Sequence, residues 1–582
     1  MIKEEIIDLI KKAVLAQGIP EQDIPAFTLE HPDEMSYGDL ASNVALVLSK
    51  SLKKSPVEVA KQVVENLNKN KLDAVEKIEM AGPGFINFYL ADKYFVAGVG
   101  EVLKAGEKYG TNNNLKGQKT IVDYTDPNPF KDFHIGHLMN NVIGEALCRI
   151  MEGNGANVKR ANYQGDVGIH VAKTIWGVFK MLGDGTAKKE FFGGLFGFGN
   201  NPKVWGRAYA LGATTFDQDE QAKKEITDLN KKIYERSDRK INKIYDFGKK
   251  ISLQEFEKIY KILGTKFDYY FFESEVGNLG KEIVLKGLKD GIFEKSDGAT
   301  VFHGEKYDPL LHTRVFINSQ NLPTYEAKEL GLIVEKNNRF PFDKTISVTG
   351  NEINDYYKVL LRAMFLTVPD LAKKVTHIGH GMLRLPTGKM SSRTGQVITG
   401  EFLLSEIKNN VLEKMKDRQI PEKEKYLVAE IVSIGALKYS ILKQETGKDI
   451  IFDFDKSLSF EGDSGPYLQY ACVRAKSILE KAEKEGIKAN LNLENTPVIG
   501  ELPKLLVRFP EVVERAGKEY SPHYLATYLT ELASAFSTFY AEQVVVDKND
   551  PVSPYRVALT SAFLTVMKNG LNLLGIKVPE RM

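Results

Sequence analysis

Fifteen residues, Asp123-Tyr-Thr-Asp-Pro-Asn-Pro-Phe-Lys-Asp-Phe-His134-Ile-Gly-His137, stand between a short apolar run and a long apolar periodicity. Ahead of them Thr120-Ile-Val122 reads as a strand. Behind them Leu138, Val142, Ala146 and Ile150 recur every four residues, with Ile143, Leu147 and Met151 beside them, which predicts a helix. A second strand-like run follows at 158–163. Strand, loop, helix and strand in this order form the unit of a doubly wound parallel sheet. Such a sheet binds ligands outside the carboxyl ends of its strands, and the amino end of the following helix attracts phosphate. The His-Ile-Gly-His signature falls at that junction.

Each residue type there has a chemical use. Gly136 lets a flat purine lie close to the backbone. His134 and His137 offer imidazole donors to phosphate oxygens and to charge developing in a transition state. Asn128, after Pro127, can orient a polar substrate group. The same four letters recur as His377-Ile-Gly-His380, inside a strand-like run at 375–382 with no helical pattern after it. Context reads that copy as structural. A second signal lies about 250 residues downstream of the first, in Gly381-Met-Leu-Arg-Leu-Pro-Thr-Gly-Lys389-Met-Ser391-Ser392-Arg393-Thr-Gly395. A loop with glycine, serine and two cations suits a mobile clamp on polyphosphate, although a solvated basic loop has the same composition.

At 582 residues the chain has room for about three or four domains. Its net charge of +2 neither demands nor excludes a nucleic-acid partner, so any basic surface is local. The two cysteines, Cys148 and Cys472, are too few for a tetrahedral cysteine site, so no zinc is expected. Each reads as a buried small hydrophobe on a helix. Residues 1–12 form an amphipathic helical pattern carrying acids, unlike a signal or transit peptide. No apolar run is long enough to span a bilayer. A cytoplasmic protein without a membrane partner is the expectation.

Along the chain, residues 1–110 read as a small α+β module with helices at 2–16, 38–50 and 56–69 and a strand-like segment at 77–90. The basic turn at 50–54 is a solvated surface or an RNA contact, and 106–117 reads as a linker. Residues 118–395 carry the nucleotide-binding sheet. Gly165-Asp166-Val-Gly168 suits a turn approaching a ligand, or a plain tight turn. Residues 191–199 read as an inserted loop and 223–270 as a charged surface pair of helices. The sheet is expected to resume at 314–317. Tyr325 and Glu329 then fall one turn apart on one helical face. A strand at 345–348 leads to Gly350-Asn-Glu352 and a further helix. From 400 to 582 the pattern is helical nearly throughout, with Ser464-Gly-Pro opening one long helix and Ser521-Pro-His523 capping another.

The two signals, in this order and each after a strand, resemble the His-Ile-Gly-His and Lys-Met-Ser-Lys-Ser signatures of class I aminoacyl-tRNA synthetases, with Ser392 and Arg393 in the last two places. Gly165-Asp-Val-Gly168, Gly381-Met-Leu-Arg-Leu-Pro386, Gly465-Pro-Tyr-Leu-Gln-Tyr-Ala471 and Val578-Pro-Glu-Arg-Met582 sharpen the resemblance to the arginyl-tRNA synthetase family along nearly the whole chain. The resemblance implies a Rossmann-like sheet, an amino-terminal module touching the outer corner of tRNA, and an all-α carboxyl-terminal bundle reading the anticodon. It implies ATP-dependent activation of L-arginine, transfer to tRNA(Arg), magnesium accompanying ATP, and activation that requires bound tRNA. A monomer is expected. By this resemblance His134, His137 and Lys389 are catalytic. ATP binding falls to His134, Gly136, His137, Glu352, Lys389, Ser391, Ser392 and Arg393. Arginine binding falls to Asp123, Asn128, Tyr325, Glu329 and Asp166. A guanidinium wants planar carboxylate partners, which agrees with that set. Asp123 stands where the family often has glutamate, Glu329 where it often has aspartate, His170 where many members have glutamine, and Glu352-Ile353 where many have Asp-His. Lysine lacks the fork geometry, so no editing domain is required. The competing readings are a small nucleotidylyltransferase, another class I synthetase, and a non-catalytic RNA-binding relative.

Overall fold

The structure, a computed structural model, describes residues 2–32, 34–183, 198–386, 399–419, 421–491 and 499–582. The chain forms two compact units, each discontinuous in sequence. One holds residues 1–109, 477–508 and 535–566, and the other holds 110–476, 509–534 and 567–582. The helical last third therefore contributes to both.

In the first unit a four-stranded antiparallel sheet runs in the order Leu29–Glu30, Leu40–Ser42, Phe85–Leu90, Val75–Ala81. Helices Ile2–Leu15 and Pro56–Lys69 match the expected spans, the latter opened by a Ser55/Glu58 capping box. Two expectations change. The helix expected over 38–50 begins only at Val44, because Leu40–Ser42 pairs with Phe85–Leu90 as a strand. The run at 77–90 is a hairpin rather than one strand. Gly82 at φ 51° and Gly84 at φ 126° turn the chain where a side chain would be strained. Asp39 is a structural joint. One carboxylate oxygen accepts from Lys504 Nζ at 2.8 Å and the other from Leu90 N–H at 2.8 Å.

The second unit is built on five parallel strands: β1 (Lys119–Asp123), β2 (Asn157–Gln164), β3 (Tyr269–Phe272), β4 (Lys344–Gly350) and β5 (Val375–His380). Their order is β5-β4-β1-β2-β3. Helix α1 (Ile135–Gly153) connects β1 to β2, as the pattern predicted. The strand order reverses between β1 and β4, so their carboxyl ends open a crevice. Helix α1 is buried on nearly every side because it lies between the sheet and helix Glu422–Leu442. Gly144 makes that approach feasible, since a Cβ there would stand 2.2 Å from the Tyr124 ring.

Three further expectations are corrected. Thr313–Ile317 does not rejoin the parallel sheet. It pairs with Ala299–His303, which pairs in turn with Glu294–Ser296, in a separate antiparallel sheet. The Asp297-Gly298 turn of that sheet, with φ values of 46° and 78°, is a hairpin signal the sequence reading passed over. The charged stretch at 223–270 is a helical pair, but it is no mere surface layer. With α2 (Ile169–Leu182), helices α3 (Glu220–Glu235) and α4 (Arg239–Leu263) bury Ile226, Ile233, Ile241 and Tyr245 among Val171, Ile175 and Trp205. The 106–117 stretch is tied down at its far end, since Asn112 and Leu115 donate backbone N–H groups to Gly153 and Asn154 at 2.9 and 2.8 Å.

Helices Gly400–Lys414, Glu422–Leu442, Gly465–Lys484, Glu501–Lys518, His523–Glu542 and Ser553–Leu573 fill the last third. At the start of helix His523–Glu542 the Ser521 hydroxyl donates to the Glu519 carbonyl oxygen at 2.9 Å, and the Ser521 carbonyl oxygen accepts Tyr524 N–H at 3.3 Å. Cys148 and Cys472 are buried and unpaired on helices. Of the expected insert at 191–199, residues 191–197 lie outside the described residues.

Candidate active site

The amino end of α1 is held by its own histidines. His134 occupies the cap position, and its Nδ1 accepts from Gly136 N–H at 3.1 Å. His137 Nδ1 accepts in turn from His134 N–H at 3.2 Å. The two rings stack with centroids 3.6 Å apart. A ring nitrogen that accepts carries no hydrogen, so in both rings the hydrogen sits on Nε2. Burial, with the Lys131 ammonium nearby, holds both imidazoles below the ordinary histidine range. They are therefore neutral N–H donors rather than cations. Gly136 is needed for this arrangement itself, since a Cβ there would press to 3.0 Å on the His134 ring.

A cavity of about 470 Å³ opens beside these rings. Thr125, Asp126 and Asn128 line it from the loop after β1, and His134, Gly136 and His137 from the start of α1. Gly350 and Glu352 enter from the end of β4, and His380 to Leu383 from the end of β5. The loop after β1 is strained: Thr125, Asp126 and Phe130 adopt φ values of 80°, 46° and 69°. Such positions are costly for residues with side chains and cluster at functional sites. Lys389, Ser391, Ser392 and Arg393 lie outside the described residues. The chain approaches that stretch along the cavity wall at Leu383, and beyond it Thr399 bridges to His134 while Gly400 N–H donates to the Phe133 carbonyl at 2.6 Å.

Next to the cavity lies a cluster of buried acids, which helices α5 (Glu273–Lys289) and α6 (Tyr325–Arg339) bring to the ends of β1 and β2. The three acids, the tyrosine and the asparagine singled out from sequence for arginine fare differently. Asp123 is 4% exposed and already ion-paired with Lys336 of α6. Asp166 is wholly buried and saturated. It accepts from Tyr245 OH at 2.7 Å, Lys249 Nζ at 2.7 Å, and Ser274 N–H and Oγ at 2.9 and 2.6 Å. It anchors α4 and α5 to the end of β2. Among the described residues Glu329 has no such cation to itself. Burial, together with the carboxylates of Asp123, Glu273 and Glu326 and against the pull of Lys336, pushes its carboxyl up to about 8. Tyr325, at the start of α6, is 56% exposed on the rim. Asn128 lies against Gly165, where a Cβ would stand 2.2 Å from its Oδ1.

Several residues of this site escaped the sequence reading. Asp126 lines the cavity, accepts Tyr163 N–H at 2.8 Å, and is pushed above the ordinary carboxylate range by burial and by Asp123. Glu273 and Lys328 form a second buried ion pair at 2.5 Å. Lys131 is, among the described residues, a cation close enough to act on both signature histidines. One signal was available: Lys328 and Lys336 stand on the same helix as Glu329, Lys336 two turns beyond it. His170 turns away from the expected ligand, its Nε2 lying 2.9 Å from the Gly165 carbonyl oxygen, and burial pushes it down to about 4.

Three family profiles match the chain in succession. Residues 1–90 match the arginyl tRNA synthetase N terminal domain, 98–454 the class I (R) tRNA synthetase catalytic domain, and 468–582 the DALR anticodon binding domain. The chain is 30% identical to the arginine–tRNA ligase of Borrelia hermsii, over 100% of this chain and 99% of that one. It is 31% identical to the arginine–tRNA ligase of Treponema denticola, over 97% and 95%. The fold is that of Thermus thermophilus arginyl-tRNA synthetase, with a TM-score of 0.77 at 23% identity over both full lengths. With a catalytic-domain profile spanning more than half its length and full-length relatives at this identity, the chain belongs to the arginyl-tRNA synthetase family of class I.

Proposed function

We propose that this protein is an arginine–tRNA ligase that activates L-arginine with ATP and transfers it to the 3' end of tRNA(Arg), releasing diphosphate and AMP. One observation carries the reading. A cavity lined by two neutral imidazole donors at a helix amino end adjoins a buried acid cluster in which, among the described residues, Glu329 has no ion pair of its own. Phosphate suits the first end and a guanidinium suits the second.

In the first step the arginine carboxylate attacks the α-phosphorus and diphosphate leaves. In the second a ribose hydroxyl of the tRNA attacks the activated carbonyl and AMP leaves. His134 and His137 Nε2–H groups and the Lys131 ammonium stabilise charge on the phosphates, and Lys389, Ser391, Ser392 and Arg393 act from the loop beyond Pro386. Glu329, with Asp123 and Tyr325, takes the guanidinium, and Asn128 with Asp126 takes the α-amino end. Asp166 acts by placing α5 rather than by touching substrate. Glu352 lies at the nucleotide end. Among the described residues Asp126 and Glu352 are the carboxylates on the cavity wall, too few for a protein cage, so magnesium is held chiefly by phosphate and water.

For tRNA, the helical region offers a second cavity of about 290 Å³ lined by Arg418, Phe460, Tyr470, Arg474 and Met582. The Arg474 guanidinium sits 4.8 Å from the Tyr470 ring centroid. Cations beside aromatic faces suit an unstacked base, which supports anticodon reading there. The three-part division into 1–110, 118–395 and 400–582 then describes tRNA contact, catalysis and anticodon binding. Among the described residues no helix is long and apolar enough to cross a membrane. The two buried thiols suit a reducing cytoplasm, and we read the working form as a monomer.

Charging of total tRNA with each radiolabelled amino acid, with ATP and magnesium, tests the reading. Attachment of arginine alone is the expected result, and attachment of a different amino acid overturns the pocket assignment.

A further inference from the structure

The repeated His377-Ile-Gly-His380 closes β5, and its two histidines differ. His377 is used within the protein, stacked on Tyr357 at 3.8 Å with its Nε2 2.7 Å from Thr349 Oγ1. His380 is 4% exposed and lines the cavity that holds the signature histidines. Its Nδ1 lies 2.7 Å from the Gly381 carbonyl oxygen. A carbonyl only accepts, so Nδ1 carries the hydrogen and Nε2 keeps its lone pair. That Nε2 is buried and has no hydrogen-bond partner among the described residues. Asn140 repeats the situation one turn along α1 from His137: it is 8% exposed, lines the same cavity, and its Oδ1 has no partner among the described residues.

Buried acceptors are rarely left orphaned, and a bound donor removes their cost. Two acceptors select a group that only donates. A ribose hydroxyl brings lone pairs of its own, which these atoms leave unanswered. The 6-amino group of adenine presents two hydrogens and no competing acceptor. Met139, Ile353, Met382 and Leu383 line the same cavity and supply apolar contact for a purine face. Guanine and hypoxanthine carry a carbonyl oxygen at this place and would set acceptor against acceptor.

We propose that His380 and Asn140 select the base of the nucleotide by accepting hydrogen bonds from the 6-amino group of adenine, an assignment that rests on the nucleotide reading of this cavity. The duplicated motif is then a second recognition element rather than a purely structural strand end.

The test compares ATP with purine riboside triphosphate, which carries hydrogen in place of the amine, in arginine- and tRNA-dependent diphosphate exchange. The unaltered protein favours ATP in kcat/KM by on the order of 10- to 100-fold. His380→Phe keeps a ring and removes the acceptor, so the ratio falls about 10-fold while the value for the analogue holds. His380→Gln keeps an acceptor and most of the preference. An unchanged ratio in His380→Phe overturns the assignment, as does an equal loss with both nucleotides. A loss of discrimination against 2'-deoxy- or 3'-deoxy-ATP instead overturns it in favour of the ribose. Competition of the two nucleotides for labelled ATP in equilibrium dialysis reads the same ratio without turnover. A protein that binds ATP with this preference but charges no tRNA would therefore sink the ligase reading and leave the base assignment standing.

Discussion

Lys336 donates to the Asp123 carboxylate across 213 residues of sequence, joining α6 to the carboxyl end of the central strand β1. The pair is nearly out of reach of water, with side-chain exposures of 3% and 6%. It commits the Lys336 ammonium to Asp123, and among the described residues Glu329 beside them has no ion pair of its own.

Removing one partner should be far worse than removing both. Lys336→Met leaves two acids facing each other in the interior and should destabilise the fold by about 3–5 kcal/mol. Asp123→Asn combined with Lys336→Met should recover most of that loss. Urea unfolding of the two single variants and the double variant measures the coupling. Additive effects would mean that the pair contributes nothing specific.

Glu329 should couple arginine binding to proton release. Its folded pKa, about 8, lies above the ordinary 4.5, so the empty protein loses stability as pH rises from about 4.5 to 8. A bound guanidinium favours the ionised form and drives the proton off. Calorimetry at pH 7 in buffers of different ionisation enthalpy should show close to one proton released per arginine bound, and affinity should rise toward pH 8. Glu329→Gln should abolish the release, weaken arginine binding, and stabilise the empty protein above pH 8. Proton-neutral binding to the unaltered protein would refute this account.

The signature histidines should act as neutral donors. Because burial holds both below the ordinary histidine range, the arginine-activation rate should carry no inflection from them between pH 6.5 and 8. His137→Ala and Lys389→Ala should each lower that rate by on the order of 10²–10³-fold. Nitrogen-15 shifts of labelled histidine should place the hydrogens of His134 and His137 on Nε2. An imidazolium signature at pH 7 would contradict the geometry.

Asp166 should prove to be an anchor. Asp166→Asn weakens four hydrogen bonds, one of them from Lys249, and should destabilise the protein by about 2–4 kcal/mol. The folded fraction should keep its KM for arginine within about threefold, a change below 1 kcal/mol. A selective rise in that KM without loss of thermal stability would return Asp166 to the substrate pocket.

Local pattern alone determined a great deal here. The strand, loop, helix and strand around the first His-Ile-Gly-His, and the helical period after residue 400, need only neighbours a few residues apart, so apolar spacing reveals them. The same spacing could not say which sheet 313–317 joins, because an alternating run looks alike in parallel and antiparallel company. Nor could it show that the charged helices α3 and α4 bury an apolar face against α2. The site divides the same way. His134, Gly136 and His137 were legible because their chemistry and their caps lie within one turn. Whether an acid is free for substrate was not legible. Asp123 meets Lys336, Glu273 meets Lys328, and Asp166 meets Lys249 only when distant segments converge in a low-dielectric interior. There the count of neighbouring charges, rather than residue type, decides that Glu329 has no ion pair of its own among the described residues.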